Sequence, residues 1–134
     1  MRATTILVIE DNPLNLELAR DVLLAAGFVV IEARAPAEGL EVAQRLRPDL
    51  VLLDIRLPGM DGYQVLDQLK GDPATAHIPV VALTAQAMMG DREQALAAGF
   101  AGYIAKPINT RTLAEEVRTL RDRAVSRRAA SDGR

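Results

Sequence analysis

Five short apolar runs punctuate the chain, and the stretches between them carry apolar residues three and four positions apart. Thr5 to Ile9 is β-branched and apolar, which predicts a strand buried on both faces, and it ends in Glu10-Asp11. Asn12 can cap a helix and Pro13 suits its first position. Leu14, Leu18, Ala19, Val22, Leu23 and Ala26 then recur as a helical stripe that Gly27 stops. Phe28 to Ile31 is the second expected strand. A second helix is expected from Ala35 to Leu46, with Pro36 near its first turn, Leu40 and Ala43 buried, and Pro48 ending it.

The third run, Asp49 to Asp54, is four apolar residues between two acids. Its length and apolarity predict a fully buried strand, and Pro58, Gly59 and Gly62 mark the loop that ends it. Tyr63 to Lys70 reads as a helix with Val65, Leu66 and Leu69 inward, broken by Gly71-Asp72-Pro73. Ile78 to Leu83 is the fourth strand, ending at Thr84. Gly90-Asp91 opens a helix carrying Ala95, Leu96 and Ala98, and Gly99 closes it. Ala101 to Ala105 is a weaker fifth strand leading into Lys106-Pro107. A last helix is expected from Thr110 to Ala124, with Leu113, Val117 and Leu120 as its buried stripe. Ser126 to Arg134 is polar and Arg-rich, so the expected organisation is one domain over 1–124 and a flexible polar tail over 125–134. Strands alternating with helices at this spacing predict an α/β fold, a parallel sheet covered on both faces. The doubly wound order 2-1-3-4-5 has a switch point between the first and third strands, where such sheets hold ligands.

Composition narrows the chemistry. With 134 residues, 49% hydrophobic and 25% charged, the chain has the profile of a single soluble globular domain. The absence of cysteine removes disulfides, thiolate metal sites and cysteine nucleophiles together. A net charge of -2 gives no electrostatic case for nucleic acid, and three per cent aromatics without Trp gives no base-stacking surface. No apolar run reaches the ~18 residues of a membrane span and no signal peptide precedes the first strand, so the expected location is cytoplasmic. Of 16 basic residues only Lys70 and Lys106 are lysines, so a compact ammonium is favoured where one occurs.

On the expected sheet, Glu10 and Asp11 end the first strand and Asp54 ends the third, its neighbour. Three carboxylates then converge on one crevice, and each raises the others' pKa unless a cation intervenes. Lys106 at the end of the fifth strand is one candidate. A hard divalent ion, Mg2+ or Mn2+, is the other, because an all-oxygen site with room for waters suits it better than Zn2+. Helix capping alone would account for Glu10 and Asp11, but not for Asp54 or Lys106.

Glu10-Asp11-Asn12, Asp54 with Pro58 and Gly62, Thr84-Ala85 and Tyr103 to Lys106-Pro107 together resemble the receiver domain of two-component response regulators. The resemblance covers residues 5 to 122. It implies a CheY-like, flavodoxin-like (βα)5 three-layer sandwich. The run from Ile78 to Ile108 is similar to those of hybrid histidine kinases and of stand-alone cell-cycle regulators of the DivK type. By this resemblance Asp54 takes a phosphoryl group from a phosphohistidine of a histidine kinase or phosphotransfer protein. Mg2+ (or Mn2+) is held by Asp11, Asp54 and the backbone carbonyl of Arg56, with Glu10 acting through water. Lys106 and the backbone amide of Ala85 contact the phosphoryl oxygens. Thr84 and Tyr103 form the switch, which alters the surface of the fourth helix, fifth strand and fifth helix for a downstream protein. The Lys106-Pro107 bond is expected in the cis form.

The expected protein is a stand-alone phosphorylation switch in a phosphorelay. It is a monomer or weak dimer without nucleic-acid or membrane partners, and no turnover enzyme on outside substrates. A receiver excised from a hybrid kinase and a phosphate sink are its near alternatives. An aspartate-nucleophile phosphohydrolase is disfavoured because Arg56 stands where a second acid is required. A flavin domain is disfavoured because Glu10-Asp11 would repel a phosphate. Arg56 and Gln86 occupy positions that vary among receivers, and Arg56 is read either as a shield of the phosphoryl group from water or as a solvated loop arginine. His77 is expected to be a solvated loop residue, and Met88-Met89 to open a helix or meet a partner.

Overall fold

The computed structural model describes residues 3–57, 59–85 and 90–132, and the side chains up to Ser126. Pro58, Gln86 and Met88-Met89, singled out above, lie outside the described residues. Strands and helices alternate as β1 (Thr5–Ile9), α1 (Pro13–Ala25), β2 (Val29–Ala33), α2 (Pro36–Leu46), β3 (Leu50–Asp54), α3 (Gly62–Gly71), β4 (Val80–Thr84), α4 (Asp91–Ala98), β5 (Gly102–Ala105) and α5 (Leu113–Asp132). The five strands form one parallel sheet of order β2-β1-β3-β4-β5, the doubly wound flavodoxin-like arrangement read from the sequence.

The pleat of each strand sends alternate residues to opposite sides, so the sheet divides two cores. Leu7, Ile9, Val51, Leu53, Val80 and Ala82 face one core, which α2, α3 and α4 complete with Val42, Val65, Leu66 and Ala95. Ile6, Val8, Leu50, Leu52, Val81 and Leu83 face the other, covered by α1 and α5 through Leu16, Ala19, Leu23, Leu113 and Val117. Every residue of β3 and β4 is buried, as unbroken apolar runs require of central parallel strands.

Local chemistry sets the element ends. The Asn12 side chain accepts from the amides of Leu14 and Asn15 at 3.0 and 3.1 Å, with Pro13 in the first turn. Asp61 and Gln64 cap α3 reciprocally, each side chain accepting from the other's backbone amide. Gly62 is required there: a Cβ would lie 2.6 Å from the Ile55 Cα, and its own amide donates to the Ile55 carbonyl. The first turn of α3 is thereby fixed against the end of β3.

Two sequence expectations are corrected, in α1 and at the end of α5. Leu14 is 70% exposed, and the buried line of α1 runs instead through Leu16, Ala19 and Leu23. Helix α1 carries apolar residues on two lines, and the sheet takes the one that Leu14 does not share. In α4 Leu96 is exposed and Ala95 alone is buried. Helix α5 continues to Asp132 rather than fraying after Ala124. Ala124 to Asp132 contains neither Gly nor Pro, and its Ala and Arg residues are good helix formers, so propensity carries the helix on. Among the described residues no helix is long and apolar enough to cross a membrane.

Candidate functional site

Strand register builds the site. Ile9 stands beside Leu53, so the next residues, Glu10 and Asp54, end adjacent strands side by side. Asp54 in turn pairs with Leu83, and Leu83 with Ile104, both members of the α1–α5 core. Lys106 lies two residues beyond Ile104, one pleat further along that face. Thr84 has the opposite parity, shared with Ala82 and Tyr103, and belongs to the α2–α3–α4 side.

The side chains meet accordingly. Lys106 Nζ donates to Asp54 Oδ2 at 2.9 Å and lies 2.5 Å from Glu10 Oε1. The Arg56 amide donates to Asp54 Oδ1 at 3.0 Å, and the Asn12 amide to Glu10 Oε2 at 3.2 Å. Glu10 is fully buried, and Asp54 is 4% exposed. Asp11 is exposed at the mouth, yet Glu10, Asp11 and Asp54 each bring a carboxylate oxygen within 4.8 Å of the others. The Lys106-Pro107 bond is cis, and the Lys106 amide donates to the Thr84 carbonyl at 2.8 Å. Ala85 is exposed just past β4, and Arg56 is exposed just past the turn from β3. His77 is exposed in the loop before β4, as expected.

Burial first, then the Asp54 carboxylate, push the Glu10 carboxyl up to about 7, against the pull of Lys106 and the Asn12 amide. Burial alone would lower Lys106, but Glu10 and Asp54 hold it above its ordinary value. Three carboxylates face one ammonium. Glu10 Oε1 has no aligned hydrogen-bond donor, only the nearby charge of Lys106. A buried anionic oxygen in that state, in an all-oxygen cluster open at Asp11, fits a hard divalent cation.

The metal-free protein should show this strain in its pH dependence. Folded Glu10 holds its proton more tightly than the unfolded chain does, so stability falls as pH rises from about 4.5 to about 7 and is level above. The loss should be roughly 3 kcal/mol. Urea midpoints across that range should drop for the wild type, and the drop should be absent in Glu10→Gln.

The sequence reading did not single out one residue that borders the site. Tyr63, in the first turn of α3, lines a cavity of about 200 Å³ together with Ile55, Thr84, Asp91, Gln94 and Tyr103. The available signal was its rarity, because Tyr63 and Tyr103 are the chain's only tyrosines.

Comparison with known proteins agrees with this fold. The response regulator receiver domain model matches residues 6–118. The polar-differentiation response regulator DivK of Brucella anthropi is 42% identical over 115 residues, covering 86% of this chain and 94% of that one. A crystal structure of a putative response regulator from Chloroflexus aurantiacus is 30% identical, with a TM-score of 0.84 over 90% of this chain and 99% of that one. The receiver domain of a Pseudomonas aeruginosa sensor histidine kinase, solved with a magnesium ion coordinated in its active-site cleft, is 36% identical, with a TM-score of 0.77 over 90% and 97% of the two chains. The family match over residues 6–118 and the 42% identity to DivK over 115 residues place this chain in the response regulator receiver domain family.

Proposed function

We propose that the chain is a phosphorylation switch in a phosphorelay, with Asp54 as the phosphoacceptor. The observation that carries this reading is the buried Asp54 carboxylate, held by Lys106 Nζ at 2.9 Å and the Arg56 amide at 3.0 Å beside two further acids. A carboxylate oxygen attacks the phosphorus of a phosphohistidine, the P–N bond breaks, and the imidazole leaves with the electron pair. The product is an acyl phosphate on Asp54. Lys106 accompanies the transferring group as a fixed positive charge, and the Ala85 amide supplies another donor. Positioning and charge stabilisation are what phosphoryl transfer mainly requires.

Asp11, Asp54 and the Arg56 carbonyl would hold a magnesium ion, with Glu10 reached through water. Such an ion, when bound, offsets the repulsion between carboxylate and phosphoryl oxygens. The magnesium in the cleft of the Pseudomonas receiver supports this assignment. Thr84 and Tyr103 report the modification: the Thr84 hydroxyl is drawn to the new oxygens, Tyr103 turns inward, and the face of α4, β5 and α5 changes for a partner protein. The donor is a histidine kinase or histidine phosphotransfer protein in the cytoplasm. The likeness to DivK favours a regulator that works through protein contacts and turns over no outside substrate.

Incubation with a small acyl phosphate and Mg2+, followed by intact mass, should give a single phosphate adduct that maps to Asp54 and is abolished by chelator. No adduct, or one on another residue, would refute the assignment. Arg56, exposed beside the acceptor, shields the acyl phosphate from water in this reading. Arg56→Ala should therefore shorten the adduct's half-life at constant Mg2+, and an unchanged half-life removes that role.

A further inference from the structure

Two hollows flank Tyr103. One is the 200 Å³ cavity beside Thr84. The other is a groove of about 490 Å³ between α4, β5 and α5, lined among others by Leu96, Glu115, Leu120 and Arg123. Of the described lining residues Tyr103 alone belongs to both. Tyr103 therefore borders both hollows, and a turn of its ring would trade volume from one to the other.

Across the inner cavity stands Tyr63. Its backbone is fixed by Gly62, which leaves no room for a Cβ against Ile55, and by the reciprocal cap between Asp61 and Gln64. Its ring is held edge-on by Phe100, with centroids 5.5 Å apart and planes at 82°. A ring anchored from both backbone and side chain is a rigid wall. Asp91, at the first position of α4, lines the same space. Its charge reaches both phenols: after burial it is the next influence raising Tyr63 and Tyr103 alike.

We propose that Tyr63 is a positioning residue of the switch, the wall against which the Tyr103 ring closes when it leaves the outer groove for the cavity beside Thr84. This rests on the phosphorylation-switch reading above. The inward ring fills empty volume only if the opposite wall is large and fixed. With a smaller residue at position 63 the cavity stays underfilled, and the aromatic contact that rewards closure is lost. Aromatic pairs of this kind shift an equilibrium by about three- to tenfold beyond the area they bury. The hydroxyl of Tyr63 is not needed for that contact, so a phenylalanine should serve.

The chain's composition supplies the test. In Tyr63→Phe, Tyr63→Leu and Tyr63→Ala, Tyr103 is the only tyrosine, so biosynthetic 3-fluorotyrosine places a single fluorine label on the ring in question. Fluorine NMR with and without beryllofluoride and Mg2+ then reads its inward-to-outward ratio in each variant. Intact mass after acyl phosphate treatment, run in parallel, reads phosphorylation itself. The expected result is that Tyr63→Phe closes on activation while Tyr63→Leu and Tyr63→Ala show ratios about three- to tenfold lower. Equal ratios in Tyr63→Phe and Tyr63→Leu overturn the proposal, as does a Tyr103 signal in Tyr63→Phe that ignores beryllofluoride although the phosphate adduct forms. Absence of an adduct on the wild-type chain overturns instead the switch reading on which the proposal rests.

Discussion

Asp54→Asn is expected to take up no phosphoryl group from an acyl phosphate and, at the same time, to fold more stably than the parent chain above neutral pH. An amide oxygen is not a competent nucleophile, so the loss of adduct should be complete by intact mass. The gain in stability has a different origin. After burial, Asp54 is the group that raises Glu10, through both its hydrogen bond and its charge. Asparagine keeps an oxygen for Lys106 Nζ but removes the charge, leaving Glu10 and Lys106 as a balanced buried pair. Each pKa unit by which Glu10 then falls back towards its ordinary value is worth about 1.4 kcal/mol at alkaline pH. The urea midpoint near pH 8 should rise, and the pH dependence of the parent should flatten. An adduct that survives Asp54→Asn would remove Asp54 from the centre of the proposed function.

Lys106→Met should have the opposite sign. The Lys106 side chain is 13% exposed and is the one cation paired with Glu10 and Asp54 among the described residues. Methionine fills similar volume without charge, so two buried carboxylates face each other uncompensated. Removing one partner of a buried pair costs about 3–5 kcal/mol. In chelator at pH 8 most of that loss should appear as a lower urea midpoint. Near pH 5 Glu10 holds a proton, so the loss should shrink. Mg2+ added at pH 8 should restore part of it in proportion to its occupancy, because a ligand of the folded state stabilises by mass action. A loss that is the same at both pH values would mean that Lys106 contributes packing rather than charge.

The fold was legible because β3 and β4 are central strands buried on both faces, and such strands announce themselves as unbroken apolar runs. The acids and the lysine were legible for the same reason: a polar residue at the end of such a run has its position set by the strand. Helices gave less. In α1 two apolar lines compete, and only the sheet decides that Leu16 rather than Leu14 is covered. The end of α5 was misread because polarity was taken for fraying, whereas Ala and Arg are good helix formers. The role proposed for Tyr63 was invisible because it depends on what α3 faces across the loop from β3, and no local pattern encodes that. Nor does any pattern encode the state of Glu10, since its shift comes from burial and from Asp54, which lies 44 residues away in the chain.

Parity along the strands has one more consequence. Glu10, Asp54 and Lys106 share the α1–α5 side, while Thr84 and Tyr103 share the side of α2, α3 and α4. Within the proposed function, the chemistry of the acceptor and the reading of its state occupy separate mutational territories, one on each face of the sheet and joined only at its carboxyl rim. Substitutions such as those at Tyr63 can retune the threshold of the response without disturbing the acids. A lineage of such proteins can therefore diversify what it signals to while inheriting one unchanged reaction.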